Sequence, residues 1–170
     1  QQVQDLVASV NEDAGKNFLS PKARIINDRR FFILTKLSEI NSSIQFIREN
    51  DTEIKLGEKK LKLLNIEYRI PHTELKKPDK TIVLLDKSKL EFPLIARRWK
   101  QGDYFYPFGM KMKKKKLKKF FNDEKVPLHE KENIWIIESN KKIVWVAGYR
   151  IDERFKVMEK TKEIIKMQFK

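Results

Sequence analysis

"NIWIIESNKKIVWVAG", residues 133–148, decides how this chain folds. It contains two runs rich in β-branched and aromatic residues, "NIWIIES" and "KKIVWVAG", joined by Ser139-Asn140-Lys141. That pattern is a β-hairpin. In the second run Ile143, Trp145 and Ala147 stand on one face, and Val144, Val146 and Gly148 on the other. A strand that is apolar on both faces is covered on both sides, so this hairpin lies in the middle of a layered, sheet-rich domain.

Further strands flank it. "FPLIARRWK" precedes it, and "TKEIIKMQFK" follows with Ile165, Met167 and Phe169 alternating against Lys166, Gln168 and Lys170, a half-buried strand. "TIVLLD" is a short apolar run that reads as a buried strand. "KKLKLLNIEYRI" sets Leu61, Leu63 and Asn65 against Leu64, Ile66 and Tyr68, and "SSIQFIRE" alternates through Ile44 and Phe46. "FLSPKARIINDRRFFILT" reads as strand, turn, strand, with Asn27-Asp28 at the turn. Residues 71–80, "PHTELKKPDK", form a Pro-bounded polar loop. Near the start, Val3, Leu6, Val7 and Val10 share one face, as at the end of a helix. No internal repeat occurs. The expectation is an α+β, sheet-rich, sandwich-like domain with short helices. Residues 1–12 are expected to close a helical linker, and residues 13–170 to form the domain.

Composition narrows the chemistry. The 170 residues suit one domain with an appendage, and 40% hydrophobic residues, eleven Phe among them, suffice for a core. No Cys is present, which excludes disulfides, thiolate nucleophiles and Cys-ligated metals. Only two histidines occur, His72 and His129, far apart; a His-rich metal site is not expected, and each reads as a surface or packing residue. No apolar run reaches the roughly 20 residues that span a bilayer. A cytoplasmic chain fits, with no membrane partner. The first residues, "QQVQDLVASV", lack an initiator Met and a signal pattern, as in the C-terminal part of a longer protein. The five glycines form no phosphate-binding loop, and neither a nucleophile elbow nor HExxH occurs. Asp152 and Glu153, adjacent on a strand, face opposite sides and are expected to pair with Arg150 or Arg154. The chain therefore offers binding chemistry and no catalytic residue.

The binding chemistry is electrostatic. The net charge is +14, and between Arg97 and Lys119 ten basic residues face a single acid, Asp103. Such a concentration marks a phosphate-bearing partner. In "GMKMKKKKLKKFFNDEKVP", residues 109–127, a helix over 115–125 places Leu117, Phe120 and Phe121 on one stripe. Lys115, Lys116, Lys118 and Lys119 then face outward, Lys113 and Lys114 either precede the helix or snorkel outward, and Pro127 ends it. Upstream, "DYFYPFGM" reads as a strand and a type I turn with Pro107 second and Gly109 fourth. Phe105 and Phe108 are expected in the core. Tyr104 and Tyr106 point the other way, toward a ligand on which they could stack.

Three blocks, "RRWKQGDYFYPFGM", "KKLKKFFNDEKVP" and "IVWVAGYRIDERFKV", resemble the C-terminal domain of the bacterial tRNA(Ile)-lysidine synthetase family. Its pattern runs R…GDxFxPxGM, KKLxDFFxDxKxP and WVxGxRIDxRFKV. The match is strongest over residues 93–157. The chain departs from it with Met112 where the family has a small residue or glycine nearby, and with Lys118-Lys119 in place of a Ser-Asp pair.

The resemblance implies a fold similar to a domain of the phenylalanyl-tRNA synthetase β subunit. It implies a parent enzyme, an ATP-dependent ligase needing ATP and Mg, that converts the wobble cytidine of CAU-anticodon tRNA(Ile) to lysidine. Catalysis would lie in an N-terminal PP-loop domain whose SGGxDS motif this chain lacks, so the chain itself would need no cofactor or metal. Its implied partners are the tRNA acceptor stem and that catalytic domain. The implied tRNA-binding residues are Arg97, Lys100, Lys115, Lys116, Lys118, Lys119, Arg150 and Arg154, with Tyr104 and Tyr106 for base stacking. The competing readings are a structural module, a homodimerisation module, or a general nucleic-acid-binding domain.

Overall fold

In the computed structural model, the described residues are 17–19, 23–28, 31–36, 44–67 and 80–170. The helix expected near residues 1–9, Tyr68, His72 and nearly all of the polar loop expected at 71–80 lie outside them. The chain divides into two compact units, Gln1–Ser42 with Phe121–Asn133, and Ser43–Phe120 with Ile134–Lys170.

The larger unit is a sandwich of two antiparallel sheets. One has five strands in the order β13–β12–β11–β8–β4: β4 (Gln45–Ile47), β8 (Leu94–Arg98), β11 (Trp135–Ser139), β12 (Lys142–Val146) and β13 (Arg150–Ile151). The other has four in the order β5–β6–β14–β7: β5 (Glu53–Leu56), β6 (Lys59–Glu67), β7 (Ile82–Asp86) and β14 (Glu163–Phe169). The alternation seen in the sequence is the reason. Leu61, Leu63, Ile165, Met167 and Phe169 form the buried face of one sheet; Ile47, Leu94, Ala96, Ile137 and Trp145 form that of the other. β7 is an edge strand and only half-buried, which corrects the reading of "TIVLLD" as buried.

The hairpin β11–β12 sits inside its sheet, and its strands are buried as expected except at Lys142. Ile137 pairs with Trp145, but Glu138 pairs with Ile143, so Val144 is an extra residue in a β-bulge. The bulge shifts the phase. Val144 and Trp145 both join the core between the sheets, whereas Ile136, Glu138, Ile143 and Val146 turn to the opposite face. The loop is Asn140-Lys141, both left-handed at φ 43° and 60°, as in a type I′ turn.

That opposite face carries a second apolar layer. Phe105, Leu117 and Phe120 are buried outside the main cluster, with the Phe105 and Phe120 rings edge to face at 5.0 Å. They come from β9 (Tyr104–Phe105), β10 (Lys115–Lys116) and the first turn of α1 (Leu117–Asp123). The helix is thus shorter than the 115–125 expected, because Lys115 and Lys116 pair with Phe105 and Tyr104 as a β-ladder.

In the smaller unit, β1 (Asn17–Leu19), β2 (Ala23–Asp28) and β3 (Phe31–Lys36) form a three-stranded antiparallel sheet. Asn27 and Asp28 lie in β2, paired with Phe32 and Phe31, instead of at a turn. α1 ends in this unit in a Schellman motif. Val126 N–H donates to Phe121 O (2.9 Å) and Lys125 N–H to Asn122 O (3.0 Å), with Lys125 left-handed at φ 54°. α2 (Leu128–Lys131) follows Pro127. Among the described residues no helix is long and apolar enough to cross a membrane.

Candidate nucleic-acid interface

The site is built on one buried carboxylate. Asp152, fully buried, accepts from Tyr106 N–H (2.9 Å), Arg154 N–H (2.9 Å), Arg154 Nε (2.9 Å) and Arg154 Nη2 (2.7 Å). Backbone bonds continue the join: Glu153 N–H to Tyr106 O at 2.6 Å and Phe108 N–H to Ile151 O at 3.0 Å. Glu153 accepts from Gly109 N–H (2.7 Å) and from Lys156 Nζ. The blocks around "DYFYPFGM" and "RIDERF" are therefore one structure. Burial works against ionising Glu153, but Lys156 and the Gly109 N–H outweigh it and hold its pKa below the usual value. Bonding to Asp152 raises the pKa of Arg154 against its partial burial. The expected carboxylate pairing is thus resolved: Asp152 takes Arg154, and Glu153 takes Lys156.

The turn after Pro107 differs from expectation. Met110 N–H donates to Pro107 O, with Gly109 third at φ 83°. Positive φ at the third residue is the mark of a type II turn. A second turn follows, Lys113 N–H to Met110 O at 3.0 Å, with Lys111 and Met112 left-handed at φ 48° and 60°. Phe105 is buried as expected, but Phe108 is 47% exposed, because its turn projects from the sheet.

Arg97 lies behind this surface. Nε and Nη2 donate to Glu138 (3.0 and 2.7 Å), Nη1 and Nη2 to Asp103 (both 2.9 Å), and Nη1 also to Arg98 O (3.1 Å). A guanidinium has five N–H donors, and all are engaged within the protein. Burial opposes its charge, yet the two carboxylates raise its pKa overall. Asp103 also accepts from Lys100 N–H at 2.8 Å, which fixes the loop carrying Lys100 and Tyr104.

The remaining expected residues separate into two groups. Lys116, Lys118 and Lys119 are exposed on β10 and α1, with no side-chain partner among the described residues. Lys116 pairs across the ladder with Tyr104, which is 43% exposed and carries Lys114 Nζ 3.8 Å from its ring centroid. Lys115 and Arg150 instead turn inward, each 5.6 Å from the Phe120 ring. Arg154 stacks on Tyr106 at 4.6 Å, and Tyr106 meets Tyr104 edge to face at 6.2 Å. Lys100 is exposed and lines a cleft of 190 Å³ together with Gly102, Tyr104, Arg154 and two lysines the sequence reading did not single out, Lys141 and Lys142. Their position in the hairpin turn, opposite a basic loop, becomes visible only once the register of β11 and β12 is known.

Fold and surface together define a sheet-rich α+β domain with a cationic, tyrosine-bearing face. Residues 94–168 match the family model described as TilS substrate C-terminal domain. The tRNA(Ile)-lysidine synthase of Parabacteroides distasonis is 38% identical over 170 residues, which cover 97% of this chain and 37% of that protein. That of Bacteroides thetaiotaomicron is 30% identical over 167 residues, 96% of this chain and 35% of that protein. A solved structure, "Crystal structure of TILS C-terminal domain", aligns with a TM-score of 0.62 at 20% identity, covering 75% of this chain and 97% of that one. The chain thus resembles the C-terminal domain of the tRNA(Ile)-lysidine synthase family, over residues 94–168 in the family model and over nearly its whole length in these relatives. It spans little more than a third of the length of these curated relatives.

Proposed function

We propose that this domain grips the acceptor stem of a CAU-anticodon tRNA(Ile) for a parent tRNA(Ile)-lysidine synthetase. The observation that carries the reading is the rigid mounting of Lys116, Lys118 and Lys119, exposed on a ladder and helix fixed by the buried Leu117 and Phe120, beside the exposed ring of Tyr104. Lysines act as point charges toward phosphates, and double-stranded RNA is read largely through its backbone and shape. In this reading the parent's PP-loop domain, with ATP and Mg, would adenylate the wobble cytidine with release of pyrophosphate, and lysine would then displace AMP. This chain contributes grip and placement. Arg97 holds the Asp103 loop instead of touching RNA. Gel-shift titration of the chain against an acceptor-stem hairpin tests the reading: affinity should fall steeply with salt, with the slope of on the order of 3–6 neutralised phosphates, and a flat response would exclude it.

A second reading rests on Phe108 and Met112, 47% and 49% exposed on adjoining turns. It makes this edge a contact for a second copy. Light scattering that shows a dimer disrupted by Phe108→Ser, without any shift of the RNA, would favour it.

A further inference from the structure

The cleft beside the lysine face has a shape the duplex reading does not use. It runs between the loop Lys100–Tyr104 and the hairpin turn at Lys141–Ile143, so it has two walls, whereas Lys116, Lys118 and Lys119 stand on an open surface. At 190 Å³ it is smaller than the about 300–1,000 Å³ of pockets that enclose a whole small molecule. It takes part of a ligand. Its charge is positive where it is uncommitted. Arg97 and Asp103 in its wall satisfy each other, while Lys100, Lys141 and Lys142 are exposed with no side-chain partner among the described residues. Arg154 reaches the cleft with Nε and Nη2 on Asp152, and Nη1 makes no hydrogen bond among the described residues. At the rim, the exposed Tyr104 ring is held by Lys114 and by the edge of Tyr106. At Gly102, φ 96°, nothing lies within 4 Å of where a Cβ would be, so the wall there is open to an approaching group.

From this arrangement we infer that the cleft seats one unpaired ribonucleotide next to the duplex, its phosphate among Lys100, Lys141 and Lys142 and its base on Tyr104. The inference rests on the RNA-binding reading and adds a single-strand subsite to it. A duplex presents its phosphates on a convex surface and keeps its bases stacked inside. A narrow two-walled cleft with an aromatic rim suits a single strand, whose bases are free to stack on a tyrosine.

The test compares two RNA hairpins of the same stem, one blunt and one with a 3′ single-stranded overhang, by fluorescence anisotropy with the 170-residue chain. The overhang should tighten binding by about 5- to 10-fold. In Lys141→Gln/Lys142→Gln and, separately, in Tyr104→Leu, the ratio of the two affinities should fall toward one. Lys166→Gln, on the other sheet, should keep the wild-type ratio. Equal wild-type affinity for both hairpins would overturn the subsite and leave duplex binding standing. An undiminished ratio in both cleft variants would also overturn it. Failure of both hairpins to bind at low salt would overturn the RNA-binding reading itself.

Discussion

Arg154 and Tyr106 are stacked at 4.6 Å, and both are tied to one carboxylate: Asp152 accepts the Tyr106 N–H and two guanidinium nitrogens of Arg154. The surface tyrosine and arginine thus inherit their positions from a residue no ligand can reach. Asp152→Ala takes the acceptor from two backbone N–H groups, those of Tyr106 and Arg154, and from the Arg154 guanidinium, and should cost about 3–5 kcal/mol in urea unfolding. Asp152→Asn, which keeps one acceptor, should cost less. A loss below about 1 kcal/mol for the alanine variant would show that the join is dispensable.

Arg97 has the same character. A lysine cannot reproduce its fork on Asp103 and Glu138. Arg97→Lys should lower the unfolding midpoint and loosen the Lys100–Asp103 turn. For the protein that remains folded, RNA affinity should drop less than for the triple change Lys116→Gln, Lys118→Gln and Lys119→Gln. The reverse order in a filter-binding comparison would make Arg97 a direct RNA contact.

Acid should weaken the fold through Glu153 and Asp86. Burial resists the ionisation of each. It is outweighed at Glu153 by Lys156 and Gly109, and at Asp86 by Ser88, Thr161 and Lys89, so both pKa values fall below their usual 4.5 and 3.8. A carboxylate with a depressed folded pKa contributes stability that is present above its unfolded pKa and lost as pH falls through the folded one. Stability should therefore be flat in these two groups above about pH 5 and decline below about 4.5. Chemical denaturation across pH 2–7 measures the decline. Glu153→Gln should flatten part of it, and an unchanged acid limb in that variant would contradict the assignment.

Left-handed backbone at Met112 (φ 60°) and Lys125 (φ 54°) carries side chains where glycine is at ease. Met112→Gly and Lys125→Gly should each stabilise the chain by about 1 kcal/mol, read as a higher thermal midpoint. Lys125→Ala should give no such gain, since alanine meets the same strain. Destabilisation by both glycine variants would mean that the lost side-chain contacts outweigh the relief.

Much of the sandwich was legible because its strands alternate cleanly: Ile165, Met167 and Phe169 point inward as the period of two requires. The doubly covered hairpin was visible in the two apolar faces of residues 143–148, although the bulge that turns Val144 and Trp145 to the same face was not. The start of α1 was misplaced for a tertiary reason. Lys115 and Lys116 fit a helix by pattern, but pairing with Phe105 and Tyr104 holds them extended. Composition pointed to the lysine surface, yet it could not separate the exposed Lys116, Lys118 and Lys119 from Lys115 and Arg150 lying toward Phe120. Nor could it foresee that Arg97, basic and next to the run, has every donor engaged by Asp103, Glu138 and a carbonyl. Positive residues look alike in a sequence. Which of them have a carboxylate beside them depends on strand register.

The proposed binding of RNA phosphates by the lysine face underlies every other expectation for this surface. Its most direct measurement is the salt dependence of binding to an acceptor-stem hairpin, for the native chain and for the Lys116→Gln/Lys118→Gln/Lys119→Gln variant. The native slope of log K on log salt should be steep, and lower by about 2 in the variant, at roughly 0.7 or more per lost phosphate contact. A variant slope equal to the native one would contradict it.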